Sequence, residues 1–325
     1  MAIDLLNLKP QRISKNLRGK TFLIYGDPGC GKTTLAARFK KVLIIGFECG
    51  QNALDNVYVQ PAKTWNDWKQ AVSQLCRKEE LKENFDQIAI DTVDEAWNLC
   101  VKYVCNQNGV EKLGDLPYGQ GYDLAKKEFA ATFREVVYNG YGLIFISHSI
   151  EKTYKDDKGQ EFTKIVPALP NRPFDIVNKM VDLIAYIREI NVGTEEKPER
   201  KRFMFFRDLV GDRFLAKSRY KYIEPRIELN YDSLVNSIFE AIDKQIKESG
   251  GGEATNEAAA NTVLDFDVLM EEAKSVWGKV CQLEKVEEAS RILQEEFGKP
   301  IRFSEITADQ VDKLNVVLIK IKDII

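Results

Sequence analysis

Short apolar runs punctuate the first three quarters of the chain. TFLIY (21–25), VLIIGF (42–47), QIAI (87–90) and LIFIS (143–147) are continuous rather than alternating. That is the pattern of strands covered on both faces of a parallel sheet. LIAYI (183–187), RFMFF (202–206) and RFLAK (213–217) follow in quick succession with little helix between them, which predicts an antiparallel edge. Helices are predicted at 33–40, 64–80, 93–106 and 122–139. Strands alternating with helices predict an α/β fold with a mainly parallel central sheet.

The pattern breaks at SGGGEATNEAAANT (249–262), which is small, polar and glycine-rich at its start, as a flexible linker is. Beyond it, VLDFDVLMEEAKSVW, KVEEASRILQEEF and TADQVDKLNVVLIKIKDI carry helical spacing. The expected organisation is a core over 1–248, a linker over 249–262 and a small helical domain over 263–325. No internal repeat is visible.

Composition changes this picture little. The chain has 325 residues, 44% hydrophobic and 30% charged, ordinary for a globular protein. No apolar run approaches the ~20 residues that span a bilayer. The start, MAIDLLNLKPQRISKN, has neither a signal-peptide core nor a small-residue cleavage site, so a cytoplasmic protein with no membrane partner is expected. None of the six cysteines forms a C-x-x-C, so neither zinc nor a disulfide framework is expected. The net charge of −3 divides into +4 over residues 1–247 and −7 over 248–325. A mildly basic body permits a polyanion partner without requiring one.

The strongest chemical signal is GDPGCGKT, from Gly26 to Thr33, which matches G-x-x-x-x-G-K-[ST] between a strand and a helix. Gly26, Gly29 and Gly31 let the backbone wrap closely around phosphates, together with Asp27, Pro28, Cys30 and the flanking Thr34. The helix that follows adds the positive end of its dipole. Lys32 reaches the β- and γ-phosphates and the Thr33 hydroxyl ligates Mg²⁺. Asp91 ends an apolar strand, the place of the Walker-B aspartate that holds Mg²⁺; a helix-capping role for it stays open. ATPases of the AAA+ type usually carry an acidic residue next, and here it is Thr92. Glu48, at the end of the strand after the phosphate-loop helix, is the candidate for orienting or deprotonating the attacking water, with Glu95 as the fallback. His148, the sole histidine, stands where the LIFIS strand ends.

Taken in order, GDPGCGKTT, LIIGFECGQNALD, QIAIDTVDE and LIFISHSI resemble the RecA superfamily, and within it the phage-encoded RecA-like ATPases of recombination and single-strand annealing. The resemblance covers about residues 15–230. It implies a RecA-like P-loop core that uses ATP rather than GTP, with Mg²⁺, and a homo-oligomer in filament or ring form. It gives Glu48 the role of base and puts His148 in the γ-phosphate sensor position. Two departures stand out: a very short helix between Lys32 and Val42, and histidine instead of glutamine as the sensor.

The resemblance also implies that loops near 106–121 and 151–175 contact single-stranded DNA. Lys152, Tyr154, Lys155, Phe162, Lys164 and Arg172 are the candidates, since cations suit phosphates and rings suit stacked bases. A solvated hairpin is the alternative. Lys217 and Arg219 match late-strand cations that reach a neighbour's nucleotide, unless they are edge-strand charges that oppose aggregation. Residues 263–325 are a candidate for binding a single-strand-binding protein. The expected function is an ATP-dependent, single-stranded-DNA-binding protein of recombination or annealing. An oligomeric motor or helicase loader acting on a protein partner is the alternative.

Overall fold

The computed structural model describes residues 13–48, 50, 54–194, 197–208, 213–250, 254–255, 266–283, 285–307, 310–322 and 324. The chain divides into two units, Arg12–Asn261 and Met1–Gln11 with Thr262–Ile325. Each is described by itself.

The larger unit is built on one sheet, with strands β1 (Thr21–Gly26), β2 (Val42–Gly46), β3 (Tyr58–Pro61), β4 (Gln87–Asp91) and β5 (Gly142–Lys155). Then come β6 (Glu161–Pro167), β7 (Leu183–Asn191), β8 (Arg200–Phe205), β9 (Lys217–Ser218) and β10 (Arg226–Glu228). Their order is β10-β8-β7-β1-β5-β4-β2-β3, with β6 paired to β5 and β9 to β7. From β7 to β3 every neighbouring pair is parallel. β8, β10, β6 and β9 are antiparallel additions. β5 separates the phosphate-loop strand β1 from the Asp91 strand β4 in a mixed α/β core with a mainly parallel central sheet.

Alternation along each central strand explains why those runs are continuously apolar. Leu23 and Tyr25 of β1 join one core with Leu143 and Phe145 of β5, while Phe22 and Ile24 join a second core with Ile144 and Ile146. Helices cover both faces, so both sets are buried. On the first face lie α2 (Trp65–Arg77), α4 (Val93–Gln107), α5 (Gln120–Tyr138) and α6 (Asn171–Met180). On the second lie α1 (Lys32–Ala36) and α7 (Tyr231–Glu248). The six-residue α3 (Glu79–Asn84) lies between α2 and β4 in the chain.

Local signals set the helix starts. Thr64 and Asp67 form a capping box on α2, the Thr92 hydroxyl caps α4, and the Asn230 side chain accepts from the Ser233 amide on α7.

Several expectations are corrected. The predicted helix over 33–40 is regular only over Lys32–Ala36, so little helix dipole backs the phosphate loop. The stretch 151–175, expected as a loop with a hairpin as the alternative, is a hairpin, β5 to β6, followed by α6. RFLAK is not a strand: Phe214 bridges Ile165, and regular pairing is confined to Lys217–Ser218 on β7. This stretch changes partners from β6 to β7 as it crosses, so no ladder lengthens. α7 was not predicted. Thr255, inside the expected linker, pairs with Ser14, and residues 251–253 and 256–262 lie outside those described.

The smaller unit packs α8 (Phe266–Gln282), α9 (Val286–Phe297) and α10 (Val311–Lys322) around Leu269, Ala273, Val280, Leu293, Leu314 and Leu318. Among the described residues no helix is long and apolar enough to cross a membrane.

Candidate active site

Parallel strands bring their carboxyl ends to one edge, and there the chemistry gathers. Gly26 on β1 lies beside His148 on β5, and Asp91 on β4 lies beside Ile146. Just past β2, the Phe47 and Glu48 amides donate to the Asp91 carbonyl at 2.7 and 3.3 Å.

The phosphate loop has little room for alternatives. A methyl group on Gly26 would run into the Ile187 carbonyl of β7. Gly31 sits at φ +104°, which favours glycine, and a Cβ there would stand 3.1 Å from the Leu229 side chain. Asp27, Pro28 and Gly29 are exposed at the crest, and Thr34 is exposed on α1. Lys32 is buried, and its ammonium donates to the Gly26 and Asp27 carbonyls at 2.8 and 2.9 Å. Those are neutral partners, so a phosphate offers the ammonium a stronger, charge-assisted bond. Cys30 lies alongside, its thiol pushed up by burial against the opposing pull of Lys32.

The Thr33 hydroxyl donates to the buried Asp91 carboxylate at 3.1 Å. Two hard oxygens, one from α1 and one from the end of β4, thus converge beside the loop, a donor set that suits Mg²⁺ shared with phosphate oxygens and water. Among the described residues no three His, Cys, Asp or Glu side chains form a metal site of their own.

Glu48 is held from two sides. The Thr92 hydroxyl donates to one carboxylate oxygen at 2.6 Å, and His148 Nε2 lies 3.4 Å from the other. Glu95 is turned to its own helix, where its carboxylate accepts from Asn98 at 2.9 Å. The structure therefore groups Glu48 with His148, Thr92 and Asp91 and leaves Glu95 outside that group.

Asp94 was missed by the sequence reading. Its carboxylate accepts from the Ser147 hydroxyl at 2.7 Å and from the His148 amide at 2.9 Å. Burial pushes its carboxyl above the ordinary range. The signal available was the density of carboxylates in DTVDE, which held more than Asp91 needed. The next residue, Ser149, donates to the Asp27 carboxylate in the phosphate loop. Three consecutive residues of β5 thus touch Asp94, Glu48 and Asp27.

The same strand runs on into the hairpin, where Tyr154 lies opposite Phe162 and Lys152 opposite Lys164. By strand alternation these four share one face. The two rings stack at 5.9 Å between centroids, with the Arg213 guanidinium 5.2 Å from the Phe162 ring. Lys155 is on the other face, 3.5 Å from Glu161. Asp156 accepts from the Lys158 and Gln160 amides and shapes the turn. Arg172 stands apart on α6, its guanidinium 3.8 Å from the Tyr122 ring centroid.

The structure does not bring Lys217 and Arg219 to the phosphate loop. Both lie at the amino end of β7 and bind the last carbonyls of α6. Lys217 donates to the Asn178 and Val181 carbonyls, and Arg219 to the Lys179 carbonyl at 2.7 Å. Arg219 also pairs with Asp182 at 3.0 Å. Cations at a helix carboxyl terminus satisfy its orphan carbonyls and its dipole, which gives these side chains a structural task.

The loop, the Thr33–Asp91 pair and the strand order define a P-loop ATPase. The chain belongs to the AAA domain family AAA_24, whose model matches residues 18–220. It carries that name although position 92 is threonine. The chain is also similar to the SPbeta prophage-derived uncharacterized protein YorG of Bacillus subtilis (strain 168), 30% identical over 334 residues, covering 100% of this chain and 99% of that one. Among solved structures, the flagellar accessory protein FlaH from Methanocaldococcus jannaschii is similar at 12% identity and a TM-score of 0.34, covering 66% of this chain and 85% of FlaH.

Proposed function

We propose that this protein is a phage-type, RecA-like ATPase that binds single-stranded DNA and couples that binding to ATP hydrolysis, in recombination or strand annealing. In this reading Lys32 holds the phosphates, and Thr33 and Asp91 hold Mg²⁺. Glu48 takes the proton of the attacking water, and His148 orients Glu48.

One observation carries the DNA part. β5 touches the site through Ser147, His148 and Ser149, then presents Lys152 and Tyr154 beside Lys164 and Phe162. Like charges directly opposite on a ladder are destabilising, so the lysine pair costs stability unless an anion joins it. Phosphates between the lysines and a base on the rings would use the whole face. The acidic residues of the hairpin do not block this, because Glu161 pairs behind it and Asp156 builds the turn.

Assembly into a homo-oligomer, and capture of a single-strand-binding protein by residues 263–325, are proposed on the resemblance. A remodelling ATPase with a protein partner is the second reading, favoured by the other hairpin face, where Glu151 and Glu161 lie. Steady-state ATP hydrolysis with and without single-stranded DNA over a salt series separates the two. Stimulation that fades with salt supports DNA, while hydrolysis indifferent to DNA at every salt overturns it.

A further inference from the structure

Beside the phosphate loop lies a cleft of about 550 Å³, within the range of small-molecule sites. One wall is made by Thr34 of α1 and by Arg38 in the turn just after it. The other is the segment leading into α7, with Leu229 and Tyr231. Arg202 reaches in from β8. The cleft opens directly onto the loop: a Cβ on Gly31 would lie 3.1 Å from Leu229 Cδ2 and 3.5 Å from Arg202 Nη1. Arg202 is half exposed, and its ion pair with Glu189 is long, at 3.8 Å. Its guanidinium is therefore placed at the loop without being locked there.

We infer that this cleft takes the nucleoside end of the bound nucleotide and that Arg202 is its gripping side chain, a positioning residue for the ATPase. The inference rests on the phosphate loop holding a nucleotide. Given that, the remainder of the molecule must leave the loop somewhere, and this cleft adjoins Gly31 and Thr34. Its chemistry suits a base better than more phosphate. A planar guanidinium stacks on an aromatic ring, Leu229 gives an apolar surface, and the Asp232 carboxylate accepts from base N–H groups while repelling anions.

Calorimetric titration with a non-hydrolysable ATP analogue and with inorganic tripolyphosphate, both with Mg²⁺, tests this. Wild type should bind the analogue more tightly than tripolyphosphate. Arg202→Ala should weaken the analogue about tenfold, the scale of one lost stacking contact, and leave tripolyphosphate unchanged. Arg202→Lys, which keeps the charge and loses the plane, should behave like Arg202→Ala. Equal weakening of both probes would make Arg202 a phosphate contact and overturn the inference. So would an unchanged analogue affinity, or full rescue by lysine. A wild type that binds neither probe would overturn the nucleotide reading beneath it.

Discussion

The two ends of the central sheet are both rich in charge, and they use it in opposite ways. At the amino end, Asp182 bonds Arg219 and Thr21, and Lys217, Arg219 and Thr21 donate to carbonyls at the end of α6. Thr21 donates its hydroxyl to the Met180 carbonyl at 2.8 Å and its amide to Asp182 at 3.0 Å. Burial lowers the Lys217 ammonium's affinity for its proton, but three acceptors surround it. At the carboxyl end, the Lys32 ammonium donates to two neutral carbonyls with the Cys30 sulfur 3.9 Å away, and Asp91, Glu48 and Asp94 gather near one another. A fold that needed only stability would not gather carboxylates there. The difference teaches that basic residues in a late strand say little until it is known which end of the sheet they occupy.

The sharpest way to break this comparison is Lys32→Ala. Turnover should fall about 10²–10³-fold, as when one transition-state donor is lost; unchanged hydrolysis would remove the phosphate loop from the chemistry. Next is Glu48→Gln, which should keep ATP binding and lower turnover about 10²–10⁴-fold in single-turnover assays. A normal rate would move the base to Glu95. Thr92→Val should lower turnover less than Glu48→Gln, with ATP affinity retained, because it loosens Glu48 without removing it. At the amino end, Arg219→Ala should cost about 0.3–1 kcal/mol in urea unfolding and leave turnover intact. A collapse of turnover with stability preserved would return Arg219 to the nucleotide.

The smallest effect is a pH slope. Burial raises the Asp94 carboxyl above its unfolded value, so the folded chain binds this proton more tightly. Its contribution to stability is then greatest at low pH and declines as pH rises from about 4. Wild type should lose stability relative to Asp94→Asn over that rise, and the opposite slope would contradict the burial argument.

Much of this was legible in the sequence, for physical reasons. β1, β2, β4 and the first half of β5 are read easily because burial on both faces makes their central positions continuously apolar. The phosphate loop is legible because its backbone geometry demands glycine at fixed places. The hairpin was legible only as an alternative to a loop, because Glu151, Lys152, Thr153, Tyr154 and Lys155 offer no buried face; backbone pairing holds it, and backbone pairing leaves no apolar trace. For Lys217 and Arg219 the local sequence shows charge but not the carbonyls of α6 that they bind within the chain. Arg202 was visible only as one member of a basic run, since its neighbour Gly31 is remote in sequence. α7 is a different case: Leu234, Ile238, Ala241 and Ile242 carry helical spacing that was there to be read.

The central claim is that β5 joins the reacting end of the sheet to a DNA-binding face. Its most direct test is ATP hydrolysis, with and without single-stranded DNA, by wild type and by the double variant Lys152→Glu, Lys164→Glu. The account predicts equal basal rates, with stimulation in wild type alone. Equal stimulation of both proteins, or none in wild type, would contradict it.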